Sequence, residues 1–152
     1  QLVPLLRGVD IAIAGGSDTL LADGTDVLRM GDVAQGPYPI VTSNNDGDAA
    51  LVVSTDGQYS YVGRLVVQFD ALGRVIPASV NPAVSGAYAT DDQGVVAVWG
   101  NLVDPFLPGT KGARVQGLTN AVQAVVTAKD GNIVGNSNVF LEGRRSFVRT
   151  EE

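Results

Sequence analysis

Apolar residues along this chain come in short runs broken by glycine, proline, aspartate and asparagine, a rhythm that predicts strands and turns more than helices. Val9–Ala14 is a short run closed by Gly15-Gly16, the pattern of a buried strand that stops at a tight turn. Between Leu20 and Asp32 the pairs Asp23-Gly24 and Gly31-Asp32 signal turns. Residues 37–42 read as a strand approached through Pro37 and Pro39. Asn44–Asp48 is a turn cluster, and residues 50–54 form a second buried-type strand. Tyr59 to Asp70 alternates, and residues 71–74 turn the chain so that Val75–Ala78 pairs back in a long hairpin. Residues 80–112 are rich in Gly, Pro, Asp and Asn around one apolar island, Val95–Trp99, and read as irregular. The period then changes. Val115, Leu118, Val122, Val125 and Val126 lie three or four apart, which predicts a helix over 112–129 ended by Asp130-Gly131. Ile133–Gly135 and Asn138–Leu141 read as strands, with a turn at Glu142-Gly143.

Composition narrows the chemistry. The 152 residues include neither Cys nor His, which excludes disulfide scaffolds, thiolate metal sites, cysteine nucleophiles and histidine bases. Sixteen acidic against ten basic residues give a net charge of -6, with no basic stripe for a nucleic-acid backbone. No apolar run approaches the ~20 residues of a membrane span. The first residues, Gln1–Leu6, lack a Met and a signal pattern, and with the last ones they read as an excised segment.

Three loops are candidates for chemistry. Ala14–Thr19 follows a strand, and its glycines would let backbone N–H groups approach an anion. A dinucleotide fingerprint needs three spaced glycines and a following helix, and neither is present. On pattern alone a strand-ending turn is the simpler reading. Asn44–Asp48 has calcium-loop character but no Glu at the twelfth position, so a hairpin turn is preferred. Ser54–Tyr59 is a polar cluster in which Gly57 permits close approach, again compatible with a plain turn. Asp91-Asp92 could be a carboxylate dyad but reads as a solvated turn.

The ordered set of segments resembles a known family. Gly8–Thr19 is similar to the last metal-binding motif of the bacterial 5'-nucleotidase and UDP-sugar hydrolase family, calcineurin-like metallophosphoesterases in which a buried strand ends Gly-His-x-His or Gly-His-x-Gln. Gly36–Val41 and Val53–Leu65 resemble the strands that follow it, and Leu141–Glu152 resembles the start of the family's C-terminal nucleotide-recognition domain.

The resemblance implies an α/β, β-rich segment of a four-layer α/β/β/α sandwich with a linker helix. It implies that residues 1–112 are the C-terminal half of the catalytic domain, 113–131 an interdomain helix, and 132–152 the first strands of the second domain. In the family the first His binds one metal of a two-metal site and the last motif residue binds the other. Gly16 and Asp18 stand at those positions. Gly16 has no side chain, so Asp18 is the implied metal ligand, with Gly15, Gly16 and Ser17 along the metal edge. The implied cofactors are divalent Mn, Mg or Zn in the whole protein, with none required in this segment. The implied partner is a nucleotide or nucleotide-sugar substrate, and the implied location is periplasmic or extracellular. The expected activity is hydrolysis of nucleotide phosphomonoesters or pyrophosphates by metal-activated water, absent from this segment alone. The rival reading is a metal-depleted, non-catalytic binding or structural domain. Half a sandwich should also self-associate or pair with the rest of the chain.

Overall fold

The computed structural model describes residues 2–130 and 135–143. The chain divides into two compact units, Gln1–Asp104 and Pro105–Glu152. Strands and two helices make it an α/β protein, with β structure, among the described residues, confined to the first unit.

The first unit is built on a three-stranded mixed sheet ordered β1-β3-β2, with β1 at Ile11–Ile13, β2 at Ile40–Ser43 and β3 at Ala49–Val53. The central strand β3 carries the apolar load, and Ala50 and Leu51 are fully buried. β2 and β3 form the hairpin that the Asn44–Asp48 cluster predicts. Asn44 builds that turn, because its buried side-chain oxygen accepts from Asp46 N at 2.9 Å and Asp48 N at 3.1 Å. Gly47 completes it in the left-handed region.

β1 runs parallel to β3, pairing Ile11 with Leu51 and Ile13 with Val53. It is a strand, as the sequence predicts, but not a buried one. β1 lies at the sheet edge, and Ile13 is 83% exposed. Its apolar composition fits a strand with neighbours on both sides, and among the described residues it has one.

The long hairpin from Tyr59 to Ala78 does not form. β4 (Tyr61–Arg64) pairs instead with β7 (Gly86–Ala89), while β5 (Gln68–Phe69) and β6 (Val75–Ile76) make a separate two-residue ladder. The cause is Ser85, which is completely buried. Its hydroxyl accepts from Val66 N at 2.9 Å and donates to Val66 O at 3.3 Å, so a side chain takes both backbone groups that a partner strand would need. The 71–74 turn does form. Asp70 Oδ1 accepts from Leu72 N and Arg74 N, and Arg74 Nε donates to Asp70 Oδ2 at 3.0 Å.

Residues 80–112 are more ordered than their composition predicts. Besides β7 they contain helix α1, Asp92–Trp99. Asp91 caps its N-terminus by accepting from Gly94 N at 3.0 Å, and left-handed Gly100 closes its C-terminus. The Asp91-Asp92 pair is therefore a helix start, not a solvated turn. Gly94 is obligatory there, because a side-chain carbon would collide with the Ala89 carbonyl.

Two small apolar clusters hold the unit together. Leu20, Ala22, Tyr61, Ala87 and Ala89 form one, and Leu21, Tyr38 and Val53 form the other, with Leu65 packed against it. Adjacent Leu20 and Leu21 thus serve opposite clusters, as alternation in an extended segment requires.

In the second unit α2 spans Lys111–Lys129, in keeping with the helix read from spacing. Thr110 caps it, accepting from Ala113 N at 3.1 Å. Val115, Leu118, Val122, Val125 and Val126 are all exposed. The strand read at Asn138–Leu141 is absent: those residues are irregular and exposed, with no partner strand among the described residues to satisfy their backbone. Ile133 and Val134 of the preceding predicted strand, and Arg144–Glu152, lie outside the described residues. Among the described residues no helix is long and apolar enough to cross a membrane.

Candidate functional site

The functional candidates of the sequence separate in space. Asn44–Asp48 is the β2–β3 turn, and Asp91 and Asp92 begin α1. The Ala14–Thr19 and Ser54–Tyr59 loops come together, because β1 and β3 run parallel and so end side by side.

Backbone bonds lock the two loops. Ala14 N donates to Val53 O at 2.8 Å, Leu21 N to Ser54 O at 3.1 Å, and Asp56 N to Thr19 O at 3.0 Å. Ser54 is buried, and its hydroxyl donates to Thr19 O at 2.8 Å. Gly16 turns the chain in the left-handed region at φ +79°. Ser17 Oγ donates to Thr19 Oγ1 at 3.1 Å.

Asp18 is exposed at the tip of this edge. Its backbone carbonyl accepts from Gln35 Nε2 at 3.4 Å. Its carboxylate lies over the second loop, where a side-chain carbon on Gly57 would sit 3.3 Å from Asp18 Oδ1. In that loop Asp56, Gln58 and Tyr59 all hold φ between 59° and 65°, a region that side chains with a Cβ rarely adopt. Strain of this kind persists only where surrounding structure imposes it. The hydrogen bonds to Thr19 supply that constraint on one side, and Thr90 Oγ1, donating to Tyr59 O at 2.7 Å, supplies it on the other.

Beneath the two loops lies a cleft of about 390 Å³. Ile11, Ile13, Val53 and Leu65 give it apolar walls, and Gly15, Ser54, Thr55 and Asp56 line its polar side. Tyr38 also lines it. Burial and the Asp26 carboxylate push the Tyr38 phenol up to about 12, so the group stays protonated. Sequence reasoning singled out Gly15 and the Ser54–Tyr59 cluster but missed Tyr38 and Gly63. Tyr38 sits in a proline-flanked stretch that reads only as the approach to a strand, and no local pattern ties it to Gly63, 25 positions on.

Asp26 is the most perturbed carboxyl nearby. Burial raises its pKa, opposed by the Asp23 and Ala87 backbone N–H groups that it accepts. A side-chain carbon on Gly86 would collide with it. Neighbouring Asp23 keeps Oδ2 buried without a hydrogen-bond partner among the described residues.

For a metal ion the described residues offer little. Among the described residues no group of three or more His, Cys, Asp or Glu side chains is placed to hold one. Asp18 could contribute one oxygen, but a two-metal centre does not fit the described residues alone.

No protein-family model matches the chain. Curated relatives do. Human 5'-nucleotidase is 32% identical over 92 residues, covering 60% of this chain and 16% of its own length. A snake venom 5'-nucleotidase from Naja atra is 35% identical over 97 residues, covering 64% of this chain and 18% of its own. Among solved structures, the 5'-nucleotidase precursor from Thermus thermophilus aligns with a TM-score of 0.46 and 30% identity, over 65% of this chain and 19% of its own. The chain thus spans less than a fifth of the length of these relatives. At 32% and 35% identity over 92 and 97 residues, the chain is thus similar to a segment of 5'-nucleotidases as distant from one another as those of human and snake.

Proposed function

We propose that residues 1–152 belong to a hydrolase of nucleotide phosphomonoesters or pyrophosphates. The observation that carries this reading is the identity to 5'-nucleotidases over some 92 residues. In the whole protein the four-layer sandwich would be completed by other parts of the polypeptide, with residues 113–131 linking it to a nucleotide-recognition domain that begins at 132–152. Divalent Mn, Mg or Zn would supply an activated water there. This chain's own contribution is Asp18, one carboxylate oxygen at the end of a strand pair, with Gly15, Gly16 and Ser17 leaving room beside it. No chemical step is assigned to the described residues, which lack the other ligands. A periplasmic or extracellular location accords with the venom relatives.

A second reading has its own support. Gly16 presents no side chain at the position where the resembling motif carries a metal-binding His, as a binding or structural domain without metals would show. Assays of the full-length protein with AMP, UDP-glucose and p-nitrophenyl phosphate separate the two. Turnover with Mn, Mg or Zn that a chelator abolishes is the expected result. A folded full-length protein inert toward all three substrates would leave the non-catalytic reading standing. Residues 1–152 alone are expected to be inactive.

A further inference from the structure

An aspartate followed by glycine carries a reaction of its own. The glycine backbone nitrogen attacks the aspartate side-chain carbon Cγ and loses its proton, closing a cyclic imide as a carboxyl oxygen leaves in a molecule of water. Water then reopens the imide at either carbonyl. Opening at Cγ restores aspartate. Opening at the main-chain carbonyl gives isoaspartate, in which the chain runs through Cβ and Cγ and is one carbon longer. No oxidant, reductant or cofactor takes part. Closure needs a glycine N–H that no hydrogen bond holds and a carboxyl free to turn onto it.

The sequence holds four such pairs, Asp23-Gly24, Asp46-Gly47, Asp56-Gly57 and Asp130-Gly131. The fold treats them differently. Asp46 is pinned twice, Oδ1 pairing with Arg7 Nη1 at 3.1 Å and Oδ2 accepting from Gly8 N at 2.9 Å. Gly47 N is engaged too, donating to Asn44 O at 3.2 Å. Asp23 is held by Thr25, whose N and Oγ1 both donate to Asp23 Oδ1 at 2.7 Å. Gly131 lies outside the described residues. Asp56-Gly57 is unrestrained. Among the described residues the Asp56 carboxylate has no hydrogen bond or ion pair, and Gly57 N donates to no acceptor. The backbone there is also strained, with Asp56 at φ +65°. In that region Cβ crowds the following carbonyl oxygen. Isoaspartate removes the crowding, because Cβ joins the main chain and the former carbonyl becomes a carboxylate. Of Asp23, Asp46 and Asp56, only Asp56 carries this strain to release.

We propose that Asp56-Gly57 is a site of spontaneous isoaspartate formation, chosen by the fold from pairs that are alike in sequence. The change lengthens the loop that faces Asp18 and moves a carboxylate on the lining of the cleft. It needs neither phosphate nor metal, so it stands apart from the hydrolase reading and can fail without it.

The test ages the full-length protein at neutral pH and body temperature and follows each pair in proteolytic peptides by mass spectrometry. The imide is read as loss of one water, and isoaspartate by its backbone fragments and by labelling with an isoaspartate methyltransferase. Asp56 is expected to convert about tenfold or more faster than Asp23 and Asp46. In urea, where the fold restrains none of the three, their rates should converge. Gly57→Ala hinders the attacking nitrogen and should slow conversion at Asp56 alone. Asp56→Glu, whose carboxyl would have to close a larger ring, gives the same check should Gly57→Ala disturb the fold. The proposal is overturned if Asp56 in the folded protein converts no faster than Asp23 and Asp46. It is also overturned if the lead of Asp56 is unchanged in urea, which would assign it to the sequence and not to the fold.

Discussion

Asp18 and Asp26 show how position decides what a carboxylate can do. Asp18 is exposed at a strand end, its carboxylate close to Gly57. If it supplies a metal oxygen in the whole protein, Asp18→Ala should weaken Mn binding there about tenfold or more, measured by calorimetry. Unchanged affinity would make it a turn residue. Asp26 is held against Gly86 and accepts two backbone donors, yet burial still raises its pKa. The folded state thus holds the Asp26 proton more tightly than the unfolded chain. The stability this confers is present below the ordinary value of 3.8 and is lost as pH rises through the higher folded value. The wild-type minus Asp26→Asn difference in urea-unfolding free energy should therefore fall as pH is raised from below 4 toward neutrality. A flat difference would show that Asp26 titrates alike in both states.

At the scale of elements, caps and single side chains set the boundaries that apolar patterning leaves open. α1 has eight residues and depends on its ends. Asp91→Ala removes the acceptor for Gly94 N and should cost about 1 kcal/mol in urea unfolding, with little change in the sheet signals. Asp91→Ser should recover most of that loss, since a hydroxyl oxygen can cap in the same way. A loss equal in the two variants would assign the effect to charge and not to the cap. The β4–β7 pairing rests on Ser85 diverting Val66 from the ladder, so two short antiparallel pairs replace one long hairpin.

The whole molecule leaves much apolar surface in water. Ile11, Ile13, Ile40 and Val41 on the first unit's sheet are exposed, as is the apolar series along α2. Covering such surface is favourable by about 25 cal/mol per Å². Edge strands without a neighbour also recruit partners. The isolated chain should therefore self-associate. Light scattering is expected to give a mass above the monomer's 15.7 kDa, rising with concentration and lowered by Ile13→Lys. A monomer at millimolar concentration would mean that each unit is self-sufficient.

Local chemistry alone determined the Asn44–Asp48 and Asp70–Arg74 turns, the strands at Ile11 and Ala49, and the long helix at Lys111. In each, the side chains that define the element act within a few residues of it, so the pattern is visible along the chain. Gly15 and the Ser54–Tyr59 cluster were legible as loops worth attention for the same reason. Tertiary structure decided the rest. Only the parallel register of β1 on β3 sets those two loops side by side, and only the fold brings Tyr38, Thr55 and Gly63 to one cleft. β7 and α1 were hidden because small residues and an internal glycine erase both hydrophobic periods. Gly94 is required by the Ala89 carbonyl and Ser85 by Val66, contacts that form only when β7 packs. Burial, too, is a property of neighbours. The run at Val9–Ala14 has the composition of an interior strand, and its place at the sheet edge follows from which strands pair beside it, information that the run itself does not contain.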